Sequence, residues 1–309
     1  MRVLFYGTPA FALPTLRALL AHHRVVAAVT QPDRPAGRGQ RAQPPPVKTL
    51  ALEHGIPVLQ PDRLREAGWP ERLADHAADV AVVVAFGQLL PPAVLAVPRR
   101  GSINVHASLL PRYRGAAPVA WAIIRGERET GITTFQMDAG MDTGPVLLQR
   151  ATSTGPAETA GELAERLAVL GAATLLETLD RLDTLIPAPQ DDRAATTAPR
   201  LRKEDGLLDW TEPAVALAAR IRGTNPWPGA ATVTPGGRLQ IWRARVVPGR
   251  GAPGVLTRAE GPLAVGTGAN LLVPLEVQPD NRRAMAWEDY LRGARLGPGA
   301  PLGAPAPRH

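Results

Sequence analysis

The chain has 309 residues, 45% of them hydrophobic, which suits about two globular domains with a sizeable core. No apolar stretch approaches the roughly 20 residues of a membrane span, and Met1–Leu4 opens a strand rather than a secretory signal, so a cytoplasmic protein is expected and no membrane partner. The absence of cysteine excludes disulfides and thiolate zinc sites, and the formal charge of +7 is carried almost wholly by arginine, since Lys48 and Lys203 are the only lysines.

Val3–Tyr6 reads as a buried strand ending at Gly7, Phe11–Leu20 has helical apolar spacing, and Val25–Thr30 is a second strand. Such a β-α-β start predicts a doubly wound, mostly parallel sheet, with ligands outside the carboxyl ends of its strands. The first turn, Gly7-Thr8-Pro9, has one glycine and a proline that lacks an N–H. A turn that cradles phosphate needs several free backbone amides, so a dinucleotide or a small phosphorylated substrate is disfavoured here.

Gln31–Lys48 is a long polar loop rich in Pro and Gly. It carries Arg34, Arg38, Arg41 and Lys48 against one acid, Asp33. A surface insertion and a basic arm for nucleic acid both fit. Thr49–His54 follows as a helix, Pro57–Leu59 as a short strand, and Arg63–Ala78 as a helix. Val80–Phe86 is apolar throughout, as a central strand buried on both faces should be. Leu89–Val97 is a short helix, and Ile103–His106 is the next strand.

Asn104 and His106 lie two apart on that strand, so both side chains face one way. An imidazole that moves a proton beside an amide that donates to an oxyanion is a pairing suited to acyl transfer. Of the six histidines, only His106 follows a buried strand with a polar partner at i−2. A satisfied core histidine is the competing view. Ser108 lacks a nucleophile elbow and is read as positioning ligand or backbone. No His-Glu-x-x-His pattern is present, so no metal is expected.

Pro118–Arg125 is helical, Gly131–Gln136 is a strand, and Asp138–Gly144 is a loop that offers Asp142 as a carboxylate, permitted by Gly140 and Gly144. Val146–Gln149 is a further strand. Thr159 and Glu162 have the form of a capping box opening a long helix that ends near Asp183. Ile186–Arg200 shifts to Pro, Ala and charge and reads as a linker. The expected domains are therefore 1–185 and 201–309, joined by 186–200.

After a helix at Pro213–Arg222, short strands alternate with Gly/Pro turns at Ala230–Thr234, Leu239–Val246, Gly254–Leu256, Leu263–Val265 and Leu271–Val277, the pattern of a small β-barrel. Gly297–His309 is expected to be disordered. Residues 1–199 hold 20 basic and 19 acidic side chains, whereas 200–309 hold 15 and 9. A basic second domain suits a polyanion such as RNA, or is simply a soluble basic surface.

The stretches FYGTPAFALPTL, TQPDRPAGRGQ, PPPVKTLA, INVHASLLPRYRGAAPVAWAI, QMDAGMDTGPVL, APRLRKEDGLLDW and NPWPGA, in order along nearly the whole chain, resemble the folate-dependent formyltransferase family. The resemblance implies a Rossmann-like catalytic domain followed by an OB-like barrel that binds tRNA. It implies catalytic roles for Asn104, His106 and Asp142, with Phe86, Ser108, Leu109, Leu110 and Pro111 around the folate. It also implies that the basic loop, through Arg34, Arg38, Arg41 and Lys48, meets the acceptor end of tRNA. The co-substrate would be 10-formyltetrahydrofolate, with no metal. The acceptor would be the α-amine of initiator methionyl-tRNA, and the chain would act as a monomer. A formyltransferase for a ribonucleotide or sugar nucleotide amine is the alternative enzyme, against which the Gly-poor turn and basic loop count. A non-catalytic RNA-binding protein is the alternative from another class, against which the intact Asn104, His106 and Asp142 count.

Overall fold

The computed structural model describes residues 1–36, 41–259 and 261–303. Two compact units result. One comprises Met1–Pro118, Glu129–Ser153 and Ala164–Pro199, and the other Val119–Arg128, Thr154–Leu163 and Arg200–His309.

The chain begins with β1 (Arg2–Gly7), α1 (Leu13–His22), β2 (Arg24–Val29), β3 (Arg34–Ala36), β4 (Arg41–Gln43), α2 (Pro46–Glu53) and β5 (Val58–Leu59). Next come α3 (Trp69–Ala74), β6 (Val80–Val84), α4 (Pro92–Leu95) and β7 (Ser102–His106). α5 (Pro118–Ile124), β8 (Glu129–Gln136), β9 (Val146–Ser153) and α6 (Ala160–Asp180) follow.

The first unit is built on a seven-stranded sheet in the order β5-β2-β1-β6-β7-β8-β9. β5 through β7 run parallel, and β8 and β9 are antiparallel additions. This is the doubly wound arrangement expected. The chain moves outward from β1 through β2 to β5, then restarts at β6 on the other side, so the carboxyl ends of β1, β6 and β7 meet at the switch point. Every residue of β6 is buried, which accounts for its unbroken apolar run. Leu4, Tyr6, Val29, Val83 and Phe86 form a core with Leu64, Leu73 and Val94.

In the first unit some expectations need correction. The helix over Arg63–Ala78 shrinks to Trp69–Ala74, because Gly68 at φ +86° cannot continue a helix and Pro70 sits in the first turn. Leu64 is still buried, and its N–H donates to Gln88 Oε1 at 3.0 Å. The loop after β2 is not irregular throughout: β3 and β4 pair as an antiparallel hairpin, Arg34 opposite Gln43. Residues 186–199 are not a free linker but part of the first unit. Ala188 exchanges backbone hydrogen bonds with Val146, and Thr196 and Ala198 pair with Arg114. Ala198 is fully buried.

The second unit contains α7 (Ala214–Gly223), β10 (Ala230–Thr234), β11 (Gly237–Val247), β12 (Leu256–Thr257), β13 (Ala264–Gly266), β14 (Leu271–Pro279), β15 (Met285–Ala286) and α8 (Trp287–Ala294). Its six-stranded antiparallel sheet runs β10-β11-β14-β13-β12, with β15 beside β14. The segment from Gly299 to Gly303 joins the two edges: Gly303 pairs with Val233 of β10, and Pro301 pairs with Val255 before β12. The sheet is thereby a small barrel, its core lined by Trp210, Leu217, Ile241, Leu272, Trp287 and Leu302. The expectation of a disordered tail fails for 297–303, and its remainder, 304–309, lies outside the described residues. Among the described residues no helix is long and apolar enough to cross a membrane.

Candidate active site

β7 delivers its side chains to the carboxyl end of the sheet. Asn104 pairs in register with Val83 of β6 and Phe135 of β8, and His106 pairs with Thr133. The alternation of the strand puts Asn104 and His106 on one face. Asn104 is half-buried, and its carboxamide has no hydrogen-bond partner among the described residues. His106 is 7% exposed, edge-on to Phe135.

Both imidazole nitrogens have a defined neighbour. Nε2 lies 2.9 Å from the Tyr113 carbonyl. A carbonyl only accepts, so Nε2 carries a proton and donates it. Nδ1 faces Asp142 Oδ2 at 3.6 Å. In the neutral ring Nδ1 therefore holds the lone pair and is the nitrogen able to take up a proton, with a carboxylate facing the charge that forms there.

Asp142 reaches His106 from the loop between β8 and β9, far along the chain. It lies in the left-handed region at φ +56°, which Asp tolerates better than most residues. Its neighbours Gly140 and Gly144 are needed for space rather than for positive φ. A Cβ on Gly144 would fall 1.8 Å from the Gln136 carbonyl, and one on Gly140 would fall 2.0 Å from Thr143 Oγ1. Asp138 Oδ1 ties the loop by accepting from the Gly140 N–H at 3.0 Å and Thr143 Oγ1 at 2.7 Å.

The loop after β7 is held from below. Thr133 Oγ1 donates to the Ser108 carbonyl at 2.6 Å, and accepts from the Leu110 N–H at 3.1 Å and from Gln149 Nε2 at 2.9 Å. Ser108 is fully buried, and its hydroxyl donates to the Arg112 carbonyl at 2.6 Å. Its hydroxyl thus shapes the loop. Leu110 is buried, while Leu109 and Pro111 are half-buried. Phe86 packs edge-on against Tyr6 in the core, and its carbonyl accepts from Thr8 Oγ1 at 2.9 Å, so its backbone marks the end of β6 beside the site.

Arg34 is exposed at the start of β3, its Nη2 3.5 Å from Gln31 Oε1. The Lys48 ammonium is engaged by Asp33, at 2.7 and 2.8 Å. Hydrogen bonds from Gln60 and Lys48 in turn hold the Asp33 carboxyl below its ordinary range. Arg41 opens β4 by its backbone, and Arg38 lies outside the described residues.

Tyr113, Gly115, Thr133, Gln149, Arg114 and Gln190 all shape the site, and none was foreseen. Tyr113 meets His106 seven residues away, and the others act through contacts 16 or more residues apart, at spacings that carry no periodic signal.

The formyl transferase family matches residues 1–179, and its C-terminal domain matches residues 200–295. A protein named methionyl-tRNA formyltransferase from Geobacter sulfurreducens is 50% identical over 308 residues, 98% of this chain and 97% of the relative. Another of that name from Geobacter metallireducens is 49% identical over 307 residues, 98% of this chain and 99% of the relative. The crystal structure of WlaRD, a sugar 3N-formyl transferase in the presence of dTDP and 5-N-formyl-THF, superposes with a TM-score of 0.67 at 15% identity, covering 92% of this chain and 99% of that one. At that identity the likeness speaks to the fold. Matched along nearly its whole length, in both domains, the chain belongs to the formyl transferase family.

Proposed function

We propose that this chain transfers the formyl group of 10-formyltetrahydrofolate to the α-amino group of methionine on initiator methionyl-tRNA, in the cytoplasm and as a monomer. The observation that carries the chemistry is the placement of His106, its Nε2 donating to the Tyr113 carbonyl so that Nδ1 is the nitrogen that exchanges a proton, with Asp142 facing it at 3.6 Å. The choice of acceptor is supported by the name of the relatives at 49% and 50% identity over nearly the full chain.

The amine must be neutral to attack the formyl carbon. Attack places negative charge on the formyl oxygen, and the Asn104 carboxamide, which has no hydrogen-bond partner among the described residues, donates an N–H to it. Such a donor is worth about 2.7–4 kcal/mol of barrier. His106 Nδ1 and Asp142 then move protons: the attacking nitrogen gives one up, and the folate nitrogen receives one as its bond to the formyl carbon breaks. No covalent bond to the protein forms. Leu109, Leu110 and Pro111, with the Phe86 backbone, border the folate ring, and Ser108 supports them by shaping their loop. The first unit carries this chemistry. The second, with 15 basic against 9 acidic residues over 200–309, takes tRNA, helped by the β3–β4 hairpin with Arg34, Arg38 and Arg41. Lys48 braces the base of that hairpin through Asp33.

The test is a formyl-transfer assay with methionyl-tRNA beside free small amines, including an amino-sugar nucleotide. Turnover on methionyl-tRNA that exceeds the others by orders of magnitude is expected. Preference for a small amine would overturn the assignment of the acceptor and leave the chemistry standing.

A further inference from the structure

The segment 188–198 runs along both loops that make the site, and one side chain in it touches both. Gln190 Nε2 donates to the Asp142 carbonyl at 2.8 Å and to the Gly144 carbonyl at 2.7 Å. Gln190 Oε1 accepts from Arg114, Nε at 3.1 Å and Nη2 at 2.8 Å. Arg114 lies between Tyr113, whose carbonyl fixes His106, and Gly115, whose N–H donates to Asp142 Oδ2 at 2.7 Å. The Arg114 backbone is itself fixed by Thr196 and Ala198 of the same segment, at 2.8 and 2.7 Å.

Asp142 needs such a brace. Its loop is exposed from Asp138 to Met141, and the side-chain ties within it are local. Gln190 is the side chain whose amide spans from this loop to the loop that holds the imidazole. Its two ends have opposite polarity, and each meets its complement: the NH₂ group meets two carbonyls, the oxygen a guanidinium.

We propose that Gln190 is a positioning residue for formyl transfer: by clamping the Asp142 backbone to Arg114 it sets the Asp142 carboxylate opposite His106 Nδ1. This rests on the catalytic role of Asp142 proposed above. A shift of about 1 Å in such a group lowers rates up to roughly 100-fold without any loss of binding contacts.

The experiment is a double-mutant cycle on the full-length enzyme, with 10-formyltetrahydrofolate and methionyl-tRNA as substrates. Gln190→Ala should lower kcat roughly 10- to 100-fold with the folate KM changed less than about threefold. In an Asp142→Ala background the same change should cost less than about threefold in kcat, because the group it positions is gone. A merely structural role would lower Tm equally in both backgrounds and would not make the kcat losses non-additive. Gln190→Glu keeps the Arg114 contact but turns an acceptor toward two carbonyls, so it should lose turnover as Gln190→Ala does, and it provides the test if the alanine variant folds poorly. Near-normal kcat in Gln190→Glu, or an equal loss with and without Asp142, overturns the inference. An Asp142→Ala enzyme with normal turnover instead sinks the role of Asp142 itself, so the two failures are distinguishable. Asp191→Ala removes a side chain that among the described residues bonds within its own turn, to Arg193, and should stay within about twofold of the parent.

Discussion

The Gly115 N–H donates to Asp142 Oδ2 at 2.7 Å, and the same oxygen faces His106 Nδ1 at 3.6 Å. One backbone amide thus aims the carboxylate at the imidazole. Gly115 lies at φ +119°, and a Cβ there would fall 2.8 Å from the Ala198 carbonyl. Gly115→Ala must therefore displace that amide. A loss in kcat of roughly tenfold or more is expected, with folate affinity kept. Steady-state kinetics with a folate-binding titration check it, and an unchanged kcat would detach Gly115 from the mechanism.

Replacing Asn104 or His106 by Ala should lower kcat about 100-fold or more, on the scale of oxyanion donors and general bases. Asp142 allows a finer test. Asn tolerates the left-handed backbone at φ +56° at least as well as Asp does. Asp142→Asn therefore removes charge while keeping the loop, and it should lose turnover about as much as Asp142→Ala. If Asn restored most of the rate, the loop conformation and not the carboxylate would be what matters.

The fold was legible wherever burial imposes a period. The opening β-α-β and the capping box of Thr159 and Glu162 stand where the pattern put them, and the apolar run Val80–Phe86 gives a buried strand that stops at Val84. α8 was missed although Trp287, Tyr290 and Leu291 have i, i+3, i+4 spacing, because one short turn of signal is weak beside the surrounding charge. The strand half of the site was legible too, since i and i+2 fix a common face. Its bracing was not. Gln190 and Thr196 sit in a stretch of Pro, Ala and charge that composition marks as linker, and only the folded backbone brings them to Asp142 and Tyr113. A cut at residue 200 would also strip partners from 119–128 and 154–163, whose second-unit contacts include Arg222 Nη1 donating to the Glu158 carbonyl at 3.1 Å. Charge reversal on the second unit is the cleaner probe of tRNA binding.

The expected role of Arg38 stands on the sequence. Arg38→Ala should lower kcat/KM for methionyl-tRNA and leave folate affinity unchanged. A phosphate contact would reduce the salt slope by about one unit at every tRNA sequence. A base-edge contact would cost about 1–3 kcal/mol and relax discrimination between acceptor ends, and Arg38→Lys would not restore it. Kinetics at several salt concentrations on initiator and elongator methionyl-tRNA separate these. Identical behaviour of all three enzymes would reduce the hairpin to an insertion.

Glu162 gives a pH prediction. Hydrogen bonds from the Thr159 N–H, the Arg243 guanidinium and the Thr159 hydroxyl hold its carboxyl down to about 2, from an ordinary 4.5. The folded value is the depressed one, so this contribution to stability is full above about pH 4.5 and is lost as pH falls through about 2. Denaturant unfolding between these limits should show a stability slope that flattens in Glu162→Gln by up to one proton. Arg243→Ala should flatten it in part. A slope unchanged in both variants would mean that the pairing is already screened by solvent.

The barrel depends on the segment from Gly299 to Gly303. The edges it joins, β10 and β12, would otherwise expose unpaired backbone groups. The Val233 N–H donates to the Gly303 carbonyl at 3.0 Å and the Gly303 N–H returns to Val233 at 2.9 Å. The Leu256 N–H donates to the Ala300 carbonyl at 2.9 Å, and the Leu302 N–H to Gly254 at 2.6 Å. Leu302 itself is 4% exposed, packed in the core with Trp210 and Trp287. The segment also explains Gly254, whose Cβ would fall 2.5 Å from the Leu302 carbonyl. Two effects can be separated. Leu302→Ala removes side-chain burial alone and should cost about 2–5 kcal/mol, the range of buried Leu→Ala changes. Truncation after Pro298 removes burial and closes off the pairing of both edges, so it should cost more than Leu302→Ala and promote self-association through the opened strands. Urea unfolding and sedimentation measure the two outcomes. If truncation costs no more than Leu302→Ala and leaves the protein monodisperse, the segment only fills the core, and the barrel is held by its six strands without it.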